Sequence, residues 1–212
     1  MNSKNIAYEI IKDKIISAEF LPGEKLSENK LMTMLNIGRT PIREALSKLE
    51  NENLVEISPK RGIFITEISV ADVRNNYGIR EVLEPYAIEL ASPSLTSSQL
   101  APYFEYYQRS KDCLDSAADD SWDQSFHFMI YEASGNQLLC DILKDLYHKN
   151  LRTRKLSTIR ITHRRRNTCE EHYHIIEALM EYNTAKAKKL MKKHISTGCK
   201  VAMMITVDGT TR

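Results

Sequence analysis

The sequence predicts a mainly α-helical chain of two domains, a small N-terminal domain over residues 1–67 and an all-helical domain over residues 68–212. Three observations predict this class. Strand-like runs occur only before residue 67, apolar residues at helical spacing fill the remainder, and the formal charge changes sign along the chain. A length of 212 residues is enough for two such domains.

The first two elements of the N-terminal domain are predicted to be helices. Isoleucines at helical spacing predict one helix over residues 5–18, and Pro22 and Gly23 place a turn after it. Ser27 is a suitable N-cap for a second helix over SENKLMTMLN.

A third helix and a two-stranded ribbon follow. Thr40 is predicted as the N-cap and Pro41 as the first helical position, ahead of an amphipathic run over residues 42–50. LVEIS at 54–58 and GIFIT at 62–66 alternate as short strands joined by a basic turn. Three helices and a basic ribbon predict a winged helix-turn-helix.

The N-terminal end of the third helix is basic, which a helix that only builds a core does not need. In a helix-turn-helix this end enters the major groove, where an arginine side chain can bind a guanine edge through two hydrogen bonds. A basic ribbon tip suits the minor groove. The predicted DNA-binding residues are Asn29, Arg39, Thr40 and Arg43 near the helix, and Lys60, Arg61 and Gly62 at the tip.

The remainder of the chain predicts a helical bundle of six to seven helices, because no strand-like alternation of useful length occurs after residue 66. The predicted helices span 69–91, 96–118, 120–134, 136–160, 167–182 and 184–204.

Charge and composition limit the classes of function. The net charge of +2 neither requires nor excludes nucleic acid, but it divides unevenly. Residues 1–66 carry 10 basic and 9 acidic side chains, 67–150 carry 6 and 14, and 151–212 carry 14 and 5. The N-terminus has no apolar signal core, and the four cysteines form no CxxC pair, so we expect a reduced, cytoplasmic protein without a membrane partner.

Histidines in the bundle raise the possibility of a metal site. Asp123 and His127 are four residues apart and share one helical face, while His172 and His194 lie on two further predicted helices. One carboxylate and three imidazoles could converge on zinc, nickel or manganese. The residues alone leave open that each histidine is an ordinary core or surface residue. We assign that role to the remaining three, His148, His163 and His174.

Residues 5–66 resemble the DNA-binding domain of the GntR family of bacterial transcription regulators. The matching stretches are LPGEKLSENKLMTML, NIGRTPIREALSKLENENLVEI and PKRGIFIT, in order and without gaps. Gly38 departs from a common serine, which removes a hydroxyl that could contact phosphate. Asn53 departs from a common glycine and changes only a helix C-cap.

Residues 69–204 resemble the FCD effector domain of the FadR-type branch of the same family, in RNNYGIREVLEPYAIELA, DQSFHFMIYEASGN and HYHIIEALMEYNTAKAKKLMKKH. The resemblance implies a divalent metal, zinc in first place, and a small carboxylate effector. It implies Arg80 in the effector pocket, with Arg152 or Arg154 as a second anion-binding candidate; the run HRRRN at 163–167 is most simply a solvated loop or helix start. The implied metal ligands are Asp123, His127, His172 and His194.

These features predict a homodimeric, DNA-binding transcriptional regulator that reads a pseudopalindromic operator. We expect it to be a repressor whose affinity for the operator is controlled by the effector. One alternative is a regulator that responds to the metal itself. Another is a metal-dependent hydrolase or lyase, but no carboxylate near the ligand positions stands out as a general base, so we predict no enzyme.

Overall fold

The computed structural model describes residues 2–59, 61–112, 120–161 and 164–209. The chain divides into two compact units between Ser69 and Val70. The predicted fold class is confirmed: the first unit has three helices and a small sheet, and the second contains helices alone within its described residues.

The first unit has six elements. They are α1 Ser3–Ile16, β1 Lys25–Leu26, α2 Glu28–Leu35, α3 Arg39–Asn51, β2 Val55–Ser58 and β3 Gly62–Ile65. The sheet is antiparallel in the order β1-β3-β2 and pairs Lys25 with Phe64 and Ile57 with Ile63. Strand β1 was not predicted, because two residues are too few to form an alternating pattern.

One apolar core holds the helices and the sheet of this unit together. Ile11 of α1, Leu31 of α2 and Leu46 of α3 are buried in it, with Ile65 from β3 on the sheet side. The predicted cap of α2 is confirmed, since the Ser27 hydroxyl accepts a hydrogen bond from the backbone N–H of Lys30 at 3.1 Å.

The predicted N-cap at Thr40 is wrong. Helix α3 begins at Arg39, and its N-cap is Gly38, which makes no side-chain capping hydrogen bond. The backbone N–H of Ile42 donates to the carbonyl of Gly38 at 3.3 Å, so the helical ladder starts earlier than predicted. Pro41 is tolerated in this first turn because the N–H groups there have no intrahelical acceptor. Arg39 therefore lies within the helix rather than before it.

The second unit contains six helices within the described part of the chain. Helix α4 packs along α9, and α5 packs along α8. Within the described residues, no helix combines the length and the apolar character that a membrane span requires. Their bounds are α4 Val70–Ala91, α5 Ser97–Asp112, α6 Asp120–Ala133, α7 Gln137–Arg160, α8 Arg164–Met180 and α9 Thr184–Gly209.

Candidate functional site

Three histidines from three helices meet inside the second unit. His127 lies on α6, His172 on α8 and His194 on α9, and all three side chains are buried. One nitrogen from each ring lies within 4.8 Å of the others. The Nε2 atoms of His172 and His194 are 3.3 Å apart. The structure thus brings together the three imidazoles that the sequence analysis singled out.

Asp123, one helical turn before His127, lies beside this cluster. Its Oδ2 atom accepts a hydrogen bond from the hydroxyl of Tyr147 at 2.8 Å and forms an ion pair with Arg154. Its Oδ1 atom lies 3.8 Å from Nε2 of His172. Burial alone would raise the pKa of Asp123, but Arg154 and His172 lower that pKa well below its usual value. The carboxylate is therefore ionised and keeps one oxygen toward the imidazoles.

Two further carboxylates bind the far sides of the imidazole rings. Oε2 of Glu84 lies 2.9 Å from Nδ1 of His127, and Oε2 of Glu171 lies 2.6 Å from Nδ1 of His194. A carboxylate at Nδ1 holds the proton there, which leaves the Nε2 lone pair free for a metal. The contact of Glu84 was not predicted, because Glu84 approaches from α4 and its proximity to His127 is visible only in three dimensions.

Glu84 is itself held by Arg80. The Nε atom of Arg80 donates to Oε1 of Glu84 at 2.7 Å, and both side chains are almost fully buried. Burial alone would raise the pKa of Glu84, but Arg80 and His127 lower the pKa to about 2. The pair therefore carries both charges in the interior.

The chemistry of this donor set fits a divalent transition metal. Within the described residues, Nδ1 of His172 is buried without a hydrogen-bond partner, and the pKa of His172 is lowered well below its usual value, first by burial and then by His194. A neutral imidazole is the form that ligates metal, and borderline metals such as Zn²⁺ and Ni²⁺ accept imidazole and carboxylate together.

A cavity of about 60 Å³ opens onto the cluster. Of the three arginines predicted to bind an effector, Arg80 and Arg154 line it and Arg152 does not; Arg152 is buried elsewhere on α7. The Nη1 atom of Arg154 is buried without a hydrogen-bond partner among the described residues, so this guanidinium offers a donor beyond its pair with Asp123. An anion bound in the cavity could accept a hydrogen bond from this guanidinium.

The basic residues that begin α8 also reach the cavity. The interpretation of this run as a helix start is confirmed, since α8 begins at Arg164. That it is solvated is wrong for Arg164, which is 7% exposed and donates from Nη1 to Glu171 at 3.2 Å. Arg165 lines the cavity as well. His148 and His174 are exposed, and the predicted position His163 lies outside the described residues.

The predicted DNA-binding arginines of the first unit are exposed on one side of α3. Arg39 donates from Nη2 to Oδ1 of Asn29 at 3.2 Å. Glu28, which no local sequence pattern indicates, lies against both arginines: its Oε1 is 2.7 Å from Nε of Arg43, and its Oε2 is 3.6 Å from Nε of Arg39. The neighbouring carboxylate raises the pKa of Arg43. Thr40 is exposed in the first turn of α3.

The structure describes Arg61 and Gly62 at the ribbon tip. Arg61 is exposed, with its guanidinium carbon 5.5 Å from the centre of the Phe64 ring. Gly62 has a φ of +108°, a conformation that favours glycine. The predicted member Lys60 lies outside the described residues.

Known proteins resemble both units. The model of the family described as "Bacterial regulatory proteins, gntR family" matches residues 4–65, and that of the FCD domain matches residues 76–197. The chain is 26% identical to the uncharacterized HTH-type transcriptional regulator YdhC of Bacillus subtilis, over 95% of this chain and 92% of that protein. It is 27% identical to the HTH-type transcriptional repressor RspR of Escherichia coli, over 89% and 83%. The solved structure of E. coli McbR/YncC shares the fold, with a TM-score of 0.71 at 20% identity over 96% of this chain and 98% of that one.

Proposed function

Because this chain belongs to the gntR family of bacterial regulatory proteins and carries an FCD domain, it is a transcriptional regulator, and we propose that it is an effector-controlled, homodimeric repressor. In this proposal a small carboxylate binds beside a divalent metal in the second unit and changes the affinity of the first unit for its operator. The observation that carries the proposal is the convergence of three buried imidazoles on a cavity that arginines also line.

The metal is proposed to be held by Asp123, His127, His172 and His194, with zinc in first place and nickel or manganese as the other candidates. Glu84 and Glu171 support this set, since each engages the Nδ1 atom of a ligating ring and orients Nε2. A bound metal supplies positive charge and open coordination positions that water or a carboxylate fills.

The effector is proposed to be an anion of the size of a hydroxy acid, sugar acid or dicarboxylate. Arg154 supports this assignment, because its Nη1 atom is a buried donor beside the proposed ligand Asp123. Arg80 is a less direct candidate, since Glu84 already takes its Nε donor. Arg152 is the weakest of the three, because it is buried away from the cavity.

DNA is proposed to meet the exposed end of α3 and the ribbon. Arg39 and Arg43 are exposed one turn apart, with Asn29 and Thr40 beside them, which suits contacts to base edges and phosphates in a major groove. Lys60, Arg61 and Gly62 would enter the adjacent minor groove.

A homodimer is proposed because a two-fold pair of such units matches a pseudopalindromic operator. Large apolar side chains remain exposed on α4 and α7, two helices that pack against each other. Ile79, Val82 and Tyr86 follow one another at helical spacing on α4, and Leu138 and Ile142 do so on α7. A second copy would remove these side chains from water.

Hydrolase or lyase chemistry is less well supported. Glu84 and Glu171 both lie close to the rings, but each already binds an imidazole Nδ1, so neither is free to act as a general base. The matching family consists of regulators.

Binding of the full-length protein to duplex DNA tests the proposal. The gene's own upstream region is compared with a scrambled duplex, in the presence and absence of a panel of hydroxy acids, sugar acids and dicarboxylates. We expect preference for one upstream sequence and its release by one acid class, with the Asp123→Ala variant unresponsive. Binding without sequence preference would contradict the proposal. Release by added zinc alone would favour the metal-responsive alternative.

A further inference from the structure

We propose that Glu28 is a positioning residue for DNA reading, which holds Arg39 and Arg43 in one arrangement and lowers the affinity of the surface for DNA of arbitrary sequence. The proposal rests on the proposed DNA-binding function and goes beyond it, since it assigns specificity to an acidic residue.

Glu28 contacts both arginines at once. Glu28 is the first residue of α2, and each of its carboxylate oxygens approaches a different arginine of α3, Oε1 toward Arg43 and Oε2 toward Arg39. One carboxylate therefore spans two side chains a full helical turn apart. Asn29 adds a third contact by accepting from Nη2 of Arg39.

Both arginines approach Glu28 through Nε, which carries a single N–H. A guanidinium has four further N–H groups on its two terminal nitrogens, and Arg43 keeps these outside its contact with Glu28. The carboxylate thus orients the side chain while leaving a two-pronged donor for a guanine edge.

The three side chains differ in their exposure to solvent. Those of Arg39 and Arg43 are 56% and 63% exposed, whereas that of Glu28 is 26% exposed behind them. An ion pair this exposed adds little to fold stability. Its more direct consequence is for a partner that approaches the arginines from solvent.

A carboxylate between two guanidinium groups reduces their attraction for phosphate, which is the sequence-independent part of DNA affinity. Because the two arginine side chains keep a fixed orientation, they retain their contacts to base edges, which supply the sequence-dependent part of DNA affinity. Glu28 would therefore raise the ratio of specific to non-specific affinity even where it weakens both.

The test measures this ratio for the full-length protein. A preferred duplex is first selected from a random library with wild-type protein, and its dissociation constant is compared with that of a scrambled duplex of equal length and composition. We expect Glu28→Gln to bind the scrambled duplex more tightly and to lower the ratio about fivefold or more, because one good arginine–guanine contact accounts for roughly 5- to 150-fold discrimination.

Two further variants separate positioning from charge and from folding. Glu28→Asp keeps the negative charge at the start of α2 but shortens the reach, so we expect it to lower the ratio as well, with an unchanged unfolding temperature. Glu44→Gln removes an exposed carboxylate from α3, the helix that carries both arginines, but Glu44 pairs with Lys4 and with neither arginine. We expect the ratio of specific to non-specific affinity in this variant to stay within about twofold of wild type.

Several results would overturn the inference. They are an unchanged ratio in Glu28→Gln, an equal fall in Glu44→Gln, or a wild-type ratio in Glu28→Asp. A wild-type protein that selects no preferred duplex would instead overturn the proposed function itself.

Discussion

The Nε2 atoms of His172 and His194 face each other across 3.3 Å, although the two residues lie on different helices, α8 and α9. Both rings are buried, and burial is the first cause that lowers the pKa of each. With the proton of each ring on Nδ1, the two Nε2 lone pairs would repel each other, whereas a cation between them would bind both.

Removal of the metal is therefore expected to destabilise the protein. At a hundredfold excess over its dissociation constant, a metal that binds only the folded chain stabilises it by about 2.7 kcal/mol. A chelator should lower the unfolding temperature, and His172→Ala should purify without metal and show no response to the chelator. His174→Ala, an exposed histidine on the same helix, is the control and should behave as wild type. Equal metal content in both variants would contradict the assignment.

Glu171 is expected to tune the affinity for the metal without ligating it. Its contact with Nδ1 of His194 at 2.6 Å should be weakened in Glu171→Gln, and loss of such a partner typically reduces metal affinity about 10- to 100-fold. Titration with zinc against a competing chelator measures the change. Glu170→Gln alters the exposed neighbour and should leave the affinity unchanged. A wild-type affinity in Glu171→Gln would show that the hydrogen bond has no such role.

Arg154 and Arg152 are expected to differ in their importance for the effector. Arg154→Lys keeps a positive charge near Asp123 but loses the forked donor, so we expect carboxylate affinity to fall about tenfold. Arg152→Lys makes the same change two residues away, outside the cavity lining, and should alter affinity little. Calorimetric titration with the acid that the screen identifies measures both. A larger loss of carboxylate affinity in Arg152→Lys than in Arg154→Lys would place the anion site near Arg152 instead.

Arg43 and Arg61 are expected to contribute to DNA binding in different ways. Arg43→Ala should cost about 1–3 kcal/mol on the operator and relax base preference at one position. Arg61→Ala should weaken binding to all sequences. It should also reduce the slope of log affinity against log salt concentration by about one, because one fewer counterion is released. Arg109→Ala changes an exposed arginine of the second unit and serves as the control. Fluorescence anisotropy over a salt series distinguishes these outcomes, and identical profiles would contradict the division of roles.

Glu52 is expected to make the first unit acid-sensitive. Its carboxylate accepts hydrogen bonds from the Tyr8 hydroxyl at 2.6 Å and from Nζ of Lys12 at 2.8 Å. Burial acts to raise the pKa of Glu52, but these partners lower the pKa below its usual 4.5. The unfolded chain therefore binds the proton more readily, so the stabilisation is complete above about pH 4.5 and is lost as the pH falls below it.

The measurement is the unfolding temperature between pH 6 and pH 3. Glu52→Gln should be less stable than wild type at pH 6 by about 1 kcal/mol and should lose less on acidification. Glu9→Gln changes an exposed carboxylate on α1 and should follow wild type. Parallel acid profiles for wild type and Glu52→Gln would exclude this source of pH dependence.

Local patterns were sufficient for most of the fold. Apolar spacing located the helices, and the alternation in LVEIS and GIFIT located two strands. The prediction of a helix start fails where a side chain suited to capping follows a turn at which the backbone has already begun the helix. Thr40 has a capping side chain, yet Gly38 starts the helix, because the chain turns earlier, after Asn36 adopts a left-handed conformation with φ of 51°.

The candidate site was predictable only where residues are close in sequence. The four-residue step from Asp123 to His127 indicates a shared helical face, and the resemblance to a family identified the more distant His172 and His194. No spacing rule connects Glu84 with His127, 43 residues later, although the two side chains form a hydrogen bond. Contacts between distant helices depend on packing, which single-sequence periodicity does not encode.

By itself, the sequence determined the two-part organisation, the helical class and the residue types that we propose bind a metal and DNA, because periodicity, turns and side-chain chemistry are local properties. Only the tertiary structure decided which groups meet: that Glu28 lies between Arg39 and Arg43, and that Arg154 rather than Arg152 lines the cavity. The physical reason is that these pairings depend on how helices pack against one another, and a displacement of a few ångströms makes or removes each of them.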